Sequence, residues 1–246
     1  MSTKFNLPTE TVELPSKGLL YPEDSPLSSG TIEMKYMTAK EEDILTNQNY
    51  IQKGIVIDKL LQSLIVTEGV DYSNLLSGDK NAIMIAARIL AYGKDYQVEI
   101  QGKQVTIDLS EIENKDVNLT EVKRGQNEFS FTLPYTKNDV TFKLLTHKDE
   151  QVIEREIAGL KKIDKDNITT STTRLKHLIT SVNGLTDKKD IREFVDNFLL
   201  AKDARALREE YSRINPDVDL TVYPDGFEEG VDLPITIAFF WPDSRI

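Results

Sequence analysis

The chain has 246 residues, 39% of them hydrophobic and 29% charged, with 30 Lys and Arg against 41 Asp and Glu for a formal charge of −11. That is enough apolar material for one large domain or two small ones, and the acidic balance argues against a general nucleic-acid binder, which needs a basic surface to neutralise phosphate. The absence of Cys excludes disulfides, thiolate zinc sites and Cys nucleophiles, and no run approaches the roughly 18 apolar residues that span a bilayer.

The first 30 residues read as extended chain, because Pro8, Pro15, Pro22 and Pro26 each lack an amide donor and hold the preceding residue extended. Leu14, Leu19, Leu20 and Tyr21 are nevertheless too apolar for a free tail. They dock either on the chain's own body or on a partner. Ile32, Met34 and Tyr36 alternate as a short strand. Thr38-Ala39-Lys40-Glu41 has capping-box spacing and predicts a helix running towards Asn49. Ile55, Val56, Leu60, Leu61, Leu64 and Ile65 form the stripe of a second helix. Asp79 is placed to cap a third, which carries Ile83, Met84, Ala86, Ala87 and Leu90 and stops at Gly93.

The period then changes to two. Tyr96, Val98 and Ile100, followed by Val105, Ile107 and Leu109, predict a hairpin turning at Gly102-Lys103. Phe129, Phe131 and Leu133 with Val140, Phe142 and Leu144 predict a second, and the four strands are expected to form one small sheet. From 148 to 214 the pattern is helical again. Its stripes are Val152, Ile153, Ile157 and Leu160; then Leu175, Leu178, Ile179 and Val182; then Ile191, Phe194, Val195, Phe198 and Leu199. Asp203 is placed to cap a last helix bearing Leu207, Tyr211 and Ile214. A Pro224-Asp225-Gly226 turn and a strand through Leu233, Ile235, Ile237 and Phe239 close the chain.

The expected fold is α+β: a helical body, a small antiparallel β-sheet made of the two middle hairpins, and a C-terminal β-hairpin. Its segments are 1–37 (extended, with a short strand), 38–93 (helical), 94–146 (hairpins), 147–215 (helical) and 216–246 (hairpin and aromatic tail).

Little in the sequence suggests catalysis. No glycine-rich phosphate loop occurs. His147 and His177 lie 30 residues apart with no second His one helical turn away, and read as surface or capping residues. Ser16 and Lys17, adjacent in an extended segment, point to opposite faces. No catalytic residue, cofactor or metal ligand is expected. The C-terminus is less ordinary, since Phe239, Phe240 and Trp241 put large aromatics where chains are normally polar. Strict alternation buries Phe239 and leaves Phe240 on the opposite face. Trp241, held extended by Pro242, stands beside it. Leu14, Leu19, Leu20, Tyr21, Phe240 and Trp241 are therefore the candidate partner-binding residues.

Four ordered stretches resemble a phage family: Leu14-Pro15-Ser16-Lys17-Gly18, Met37-Thr38-Ala39-Lys40-Glu41-Glu42, Arg88-Ile89-Leu90-Ala91-Tyr92-Gly93 and Phe239-Phe240-Trp241-Pro242. Together they resemble the baseplate hub assembly proteins of T-even-like contractile-tailed bacteriophages. Asp203, Leu207-Arg208 and Asn215-Pro216 are similar to that family's late helical segment. The resemblance implies a non-enzymatic assembly factor in the host cytoplasm. Its partners would be other phage baseplate and hub proteins, with neither nucleic acid nor membrane among them and no oligomeric state indicated. The alternatives are a structural subunit retained in the virion tail baseplate and an acidic inhibitor that mimics nucleic acid. For the last, the charge is badly placed: the excess acid is split between residues 1–50, with four basic and eight acidic side chains, and residues 215–246, with one and seven.

Overall fold

The computed structural model describes residues 7–119, 122–163, 169–224, 227 and 229–240. It is α+β, as the periodicities imply, with eight α-helices and several small antiparallel sheets among these residues. Strand β1 (Thr9–Glu13) pairs with β2 (Thr31–Lys35), Val12 opposite Ile32 and Glu10 opposite Met34. The connection between them is not the extended chain expected. Leu14 N–H donates to Gly30 O at 2.9 Å and Lys17 N–H to Leu14 O at 2.8 Å, so the segment folds back as a compact loop. The prolines permit this because they fall where no donor is needed, Pro26 opening the short 3-10 turn Pro26–Ser29.

Glu41 accepts the Thr38 amide at 3.0 Å and the Lys35 ammonium at 2.8 Å, and starts α1 (Ala39–Leu45) where the capping box places it. The helix does not reach Asn49. Asn47 offers its side-chain oxygen to the amides of Asn49 and Tyr50 and begins a separate α2 (Gln48–Gln52). Helix α3 (Val56–Leu64) buries Val56, Leu60, Leu61 and Leu64. Helix α4 (Ser77–Tyr92) ends at Gly93, whose φ of +84° suits a residue without Cβ.

The middle hairpins lie in different sheets, which corrects the single sheet expected. Strands β3 (Asp95–Ile100) and β4 (Lys103–Asp108) pair alone, through a two-residue turn of Gln101 and Gly102, both with positive φ. Strands β5 (Phe129–Thr132) and β6 (Asp139–Phe142) are joined by β7 (Ile179–Val182). Ile179 and Val182 had the spacing of a helical stripe, but Ile-Thr-Ser-Val is rich in β-branched residues. It also meets an open strand edge, where the Thr141 hydroxyl contacts those of Thr180 at 2.6 Å and Ser181 at 2.7 Å. Around this sheet stand α5 (His147–Ile163), α6 (Thr170–Leu178), α7 (Lys188–Asn197) and α8 (Ala201–Ile214).

The C-terminal hairpin is short, β8 (Thr221–Val222) against β9 (Val231–Asp232), and its Asp225-Gly226 turn lies outside the described residues. The expected strand through Phe239 is instead a 3-10 turn, Ile237–Phe240. Earlier, residues 215–219 cross the start of α4: Asn81 Nδ2 donates to Asp217 Oδ1 at 2.9 Å. The Pro216 carbonyl oxygen lies so close to Gly78 that a Cβ there would sit 1.9 Å from it.

Two glycine substitutions read this packing. Gly78→Ala forces backbone apart and should destabilise by about 1–3 kcal/mol or more. Gly159→Ala, in α5 with nothing near the added methyl, should stabilise by about 0.5–1 kcal/mol through helix propensity. Urea unfolding of both variants checks the contrast.

Candidate functional site

The residues expected to dock on a partner lie mostly inside. Leu14, Leu20 and Tyr21 are buried and Leu19 is half-buried. They are held by Asp79, which is fully buried at the third position of α4. Its Oδ1 accepts the Ser16 amide at 2.9 Å, and its Oδ2 accepts the Ser16 hydroxyl at 2.7 Å and the Tyr21 hydroxyl at 2.5 Å. The Tyr21 oxygen in turn accepts the Leu76 amide at 2.9 Å. Asp79 thus serves the N-terminal loop rather than capping its own helix, because the loop supplies three donors that a buried carboxylate needs. Burial pushes the Asp79 carboxyl above its ordinary range, and the hydrogen bonds from Tyr21 and Ser16 pull it only part of the way back.

Phe240 is also interior, correcting its placement on an exposed face. In the 3-10 turn successive side chains do not alternate as in a strand, so both Phe239 and Phe240 are fully buried. Their rings meet edge to face at 5.2 Å, and Phe239 meets Tyr96 at 4.9 Å. Trp241 lies outside the described residues.

A second polar cluster surrounds Asp58. Its Oδ1 accepts from Lys80 at 2.9 Å and Tyr72 at 3.0 Å, and its Oδ2 lies 3.1 Å from His147 Nε2. Burial alone would raise the Asp58 carboxyl, but His147 and Lys80 hold it well below the ordinary range. His147 is buried, not the surface or capping residue expected, with Nδ1 3.2 Å from the Lys80 ammonium. Both ring nitrogens are therefore engaged, Nε2 towards Asp58 and Nδ1 towards Lys80. The cluster borders a groove of about 890 Å³. His177 lies 2.8 Å from Glu156, which also takes Arg192 in a bidentate pair at 2.7 Å. No three His, Cys, Asp or Glu side chains come together to hold a metal, and no helix is long and apolar enough to cross a membrane, among the described residues.

What the sequence did not reveal is an exposed apolar junction. Asp203 is buried in the first turn of α8, where it accepts the amides of Tyr135 at 2.9 Å and Thr136 at 3.1 Å. Burial opposes its charge, but these amides outweigh burial and hold the carboxyl below its ordinary range. The β5–β6 loop is thereby fixed to the α7–α8 connection. Tyr135, Phe198 and Leu200 emerge there, 57%, 60% and 51% exposed. Lys202 Nζ sits 5.0 Å from the centre of the Tyr135 ring. Phe198 continued the apolar stripe of α7 by spacing, but the helix ends at Asn197 and the side chain turns outward. The Leu at the N-cap of α8, a position that favours Ser, Thr, Asp or Asn, was the available signal.

Three stability measurements follow from these sites. Asp79→Ala strands buried donors and should cost about 3–5 kcal/mol; Phe240→Ala should cost a similar amount, about 3–5 kcal/mol, as a core truncation. Glu156 sits at about 2 in the folded chain against 4.5 ordinarily, because Arg192 and then His177 hydrogen-bond its charged form. Its stabilisation is complete above 4.5 and is lost as pH falls towards 2. Glu156→Gln should therefore flatten the fall of the urea midpoint over that window. Asp79 has the opposite sign, its raised carboxyl favouring the folded state as pH falls.

Comparison with known proteins gives one match. The family model described as T4 bacteriophage base plate protein matches residues 8–215. No curated protein and no solved structure matches. The match runs from β1 through α8, including the Asp79 network, the Asp58 cluster and the Tyr135–Asp203 junction. The chain belongs to the T4 bacteriophage base plate protein family.

Proposed function

We propose that this chain is a non-enzymatic assembly factor for the hub of the phage tail baseplate, binding other baseplate proteins in the host cytoplasm. The observation that carries the reading is the exposed apolar junction of Tyr135, Phe198 and Leu200, set on a body whose polar clusters are internally satisfied. Such a surface suits protein contact, where aromatic and aliphatic anchors supply much of the binding energy. Family membership supports a baseplate role. The mimic of nucleic acid draws less support, since Glu150, Glu156 and Glu210 are neutralised by Arg174, Arg192 and Arg213 instead of standing in an unpaired row.

Mass spectrometry of assembly intermediates and of purified virions separates the readings within the baseplate. An assembly factor is found with hub intermediates in infected cells and is absent from virions. Recovery from virions at fixed stoichiometry would make the chain a retained structural subunit. Complete baseplates assembled by phage lacking the gene would overturn both.

A further inference from the structure

Strand β4 has a free edge. Lys103, Val105 and Ile107 share its ladder bonds with Ile100, Val98 and Tyr96 of β3, a pattern that the Leu109 amide continues by donating to Lys94 O at 2.9 Å. Gln104, Thr106 and Asp108 therefore turn their amides and carbonyls the other way, where they meet no partner among the described residues. Such an edge is a template for one more strand, and a two-stranded ribbon gains from a third.

The edge runs along a groove of about 680 Å³, lined by every residue from Gln104 to Asp108. The opposite wall is β8, where the Thr221 amide is already taken by Asp219 Oδ1 at 3.0 Å, so the open ladder belongs to β4. The groove also offers apolar surface: Val105, Ile112 and Val222 are half-buried and Tyr223 is 78% exposed. A strand laid beside β4 would point alternate side chains onto that surface and the others to solvent.

The charge of the groove selects the occupant. Asp108, Glu111, Glu113 and Asp219 line it, and no lysine or arginine does. The lysines nearby are committed: Lys94 pairs with Asp108 at 2.6 Å, Lys115 lies 3.8 Å from Asp217, and Lys103 lies against the Phe227 ring. With those three lysines and Asp217 counted, carboxylates still outnumber cations, and Glu111 and Glu113 stand exposed. A nucleic acid would be repelled. A second copy suits the groove poorly too, because its exposed strand β1 carries Glu10 and Glu13 and no cation.

We infer that the groove between β4 and β8 takes an extended, basic segment of another baseplate protein, added as a third strand along the free edge of β4. Backbone pairing holds the segment, and its lysines or arginines meet the carboxylates of the groove. The inference rests on the assembly reading above.

The test adds the full-length chain back to baseplate intermediates purified from cells infected by phage lacking the gene. Thr106 and Gln97 stand opposite each other in the hairpin, and both turn their amides away from the β3–β4 ladder. T106P and Q97P therefore leave that ladder intact and block opposite edges of the same ribbon. T106P should bind at least about 10-fold more weakly than the wild type, and Q97P within about 2-fold of it. E111K/E113K, at two exposed positions, should bind about 10-fold more weakly at low salt, with the deficit shrinking towards 1 M. Wild-type affinity in T106P, or equal losses in T106P and Q97P, overturns the inference and leaves the assembly reading standing. So does tighter binding by E111K/E113K, which would make the segment acidic, or self-association that T106P abolishes, which would make the occupant a second copy. Should T106P fail to fold, unchanged low-salt affinity in E111K/E113K overturns the inference and the expected loss supports it. Failure of the wild-type chain to bind also overturns it, and overturns the assembly reading too if phage lacking the gene completes its baseplates.

Discussion

A carboxylate buried without donors is among the most expensive things a protein can contain, and Asp79 is buried completely. Everything around it follows from meeting that demand. The donors come from Ser16 and Tyr21, more than 50 residues earlier, so the N-terminal segment must turn back instead of trailing away. Turning back brings Leu14, Leu20 and Tyr21 under cover and lets the Tyr21 oxygen satisfy the Leu76 amide at the start of α4. On the other side of the same turn, Pro216 and Asp217 close on Gly78 and Asn81. One helix start therefore organises both distant arms of the chain.

Local signals were legible where a single residue type decides the outcome. Glu41 starts α1 from its capping spacing and Gly93 stops α4, while the hairpin expected to turn at Gly102-Lys103 turns one residue earlier, at Gln101-Gly102, where both residues have positive φ and Lys103 already pairs in β4. Signals failed where a distant partner decides. Asp79 and Asp203 were legible as acids at helix starts, but whose amides they accept depends on loops from elsewhere in the chain. Ile179 and Val182 carry a spacing compatible with helix or strand, and the open edge of β6 resolves it. Phe198 and Phe240 show the same ambiguity for burial. Periodicity assigns a face to each, but α7 ends one residue before the first and the chain coils into a 3-10 turn at the second. Of the residues read as anchors, Leu14, Leu20, Tyr21 and Phe240 are buried, while Phe198, read as core, stands largely in solvent.

The result is a division of labour between interior and surface. His147, Asp58 and Lys80 contact one another in a partly buried polar cluster. Tyr135, Phe198 and Leu200 are exposed where the β5–β6 loop meets α8. Asp203 is buried beneath that junction and holds the loop through the amides of Tyr135 and Thr136.

The close approach of Pro216 to Gly78 also joins parts of the chain that are made far apart in time. During synthesis at roughly 5–20 residues per second, position 217 follows position 79 by about 7–28 s. Through that interval the start of α4 has its N-terminal loop available but lacks the backbone that fills the notch at Gly78. The half-made chain holds an open seam until the ribosome has delivered all of α8. Leu233, Phe239 and Phe240, which complete the core, arrive later still.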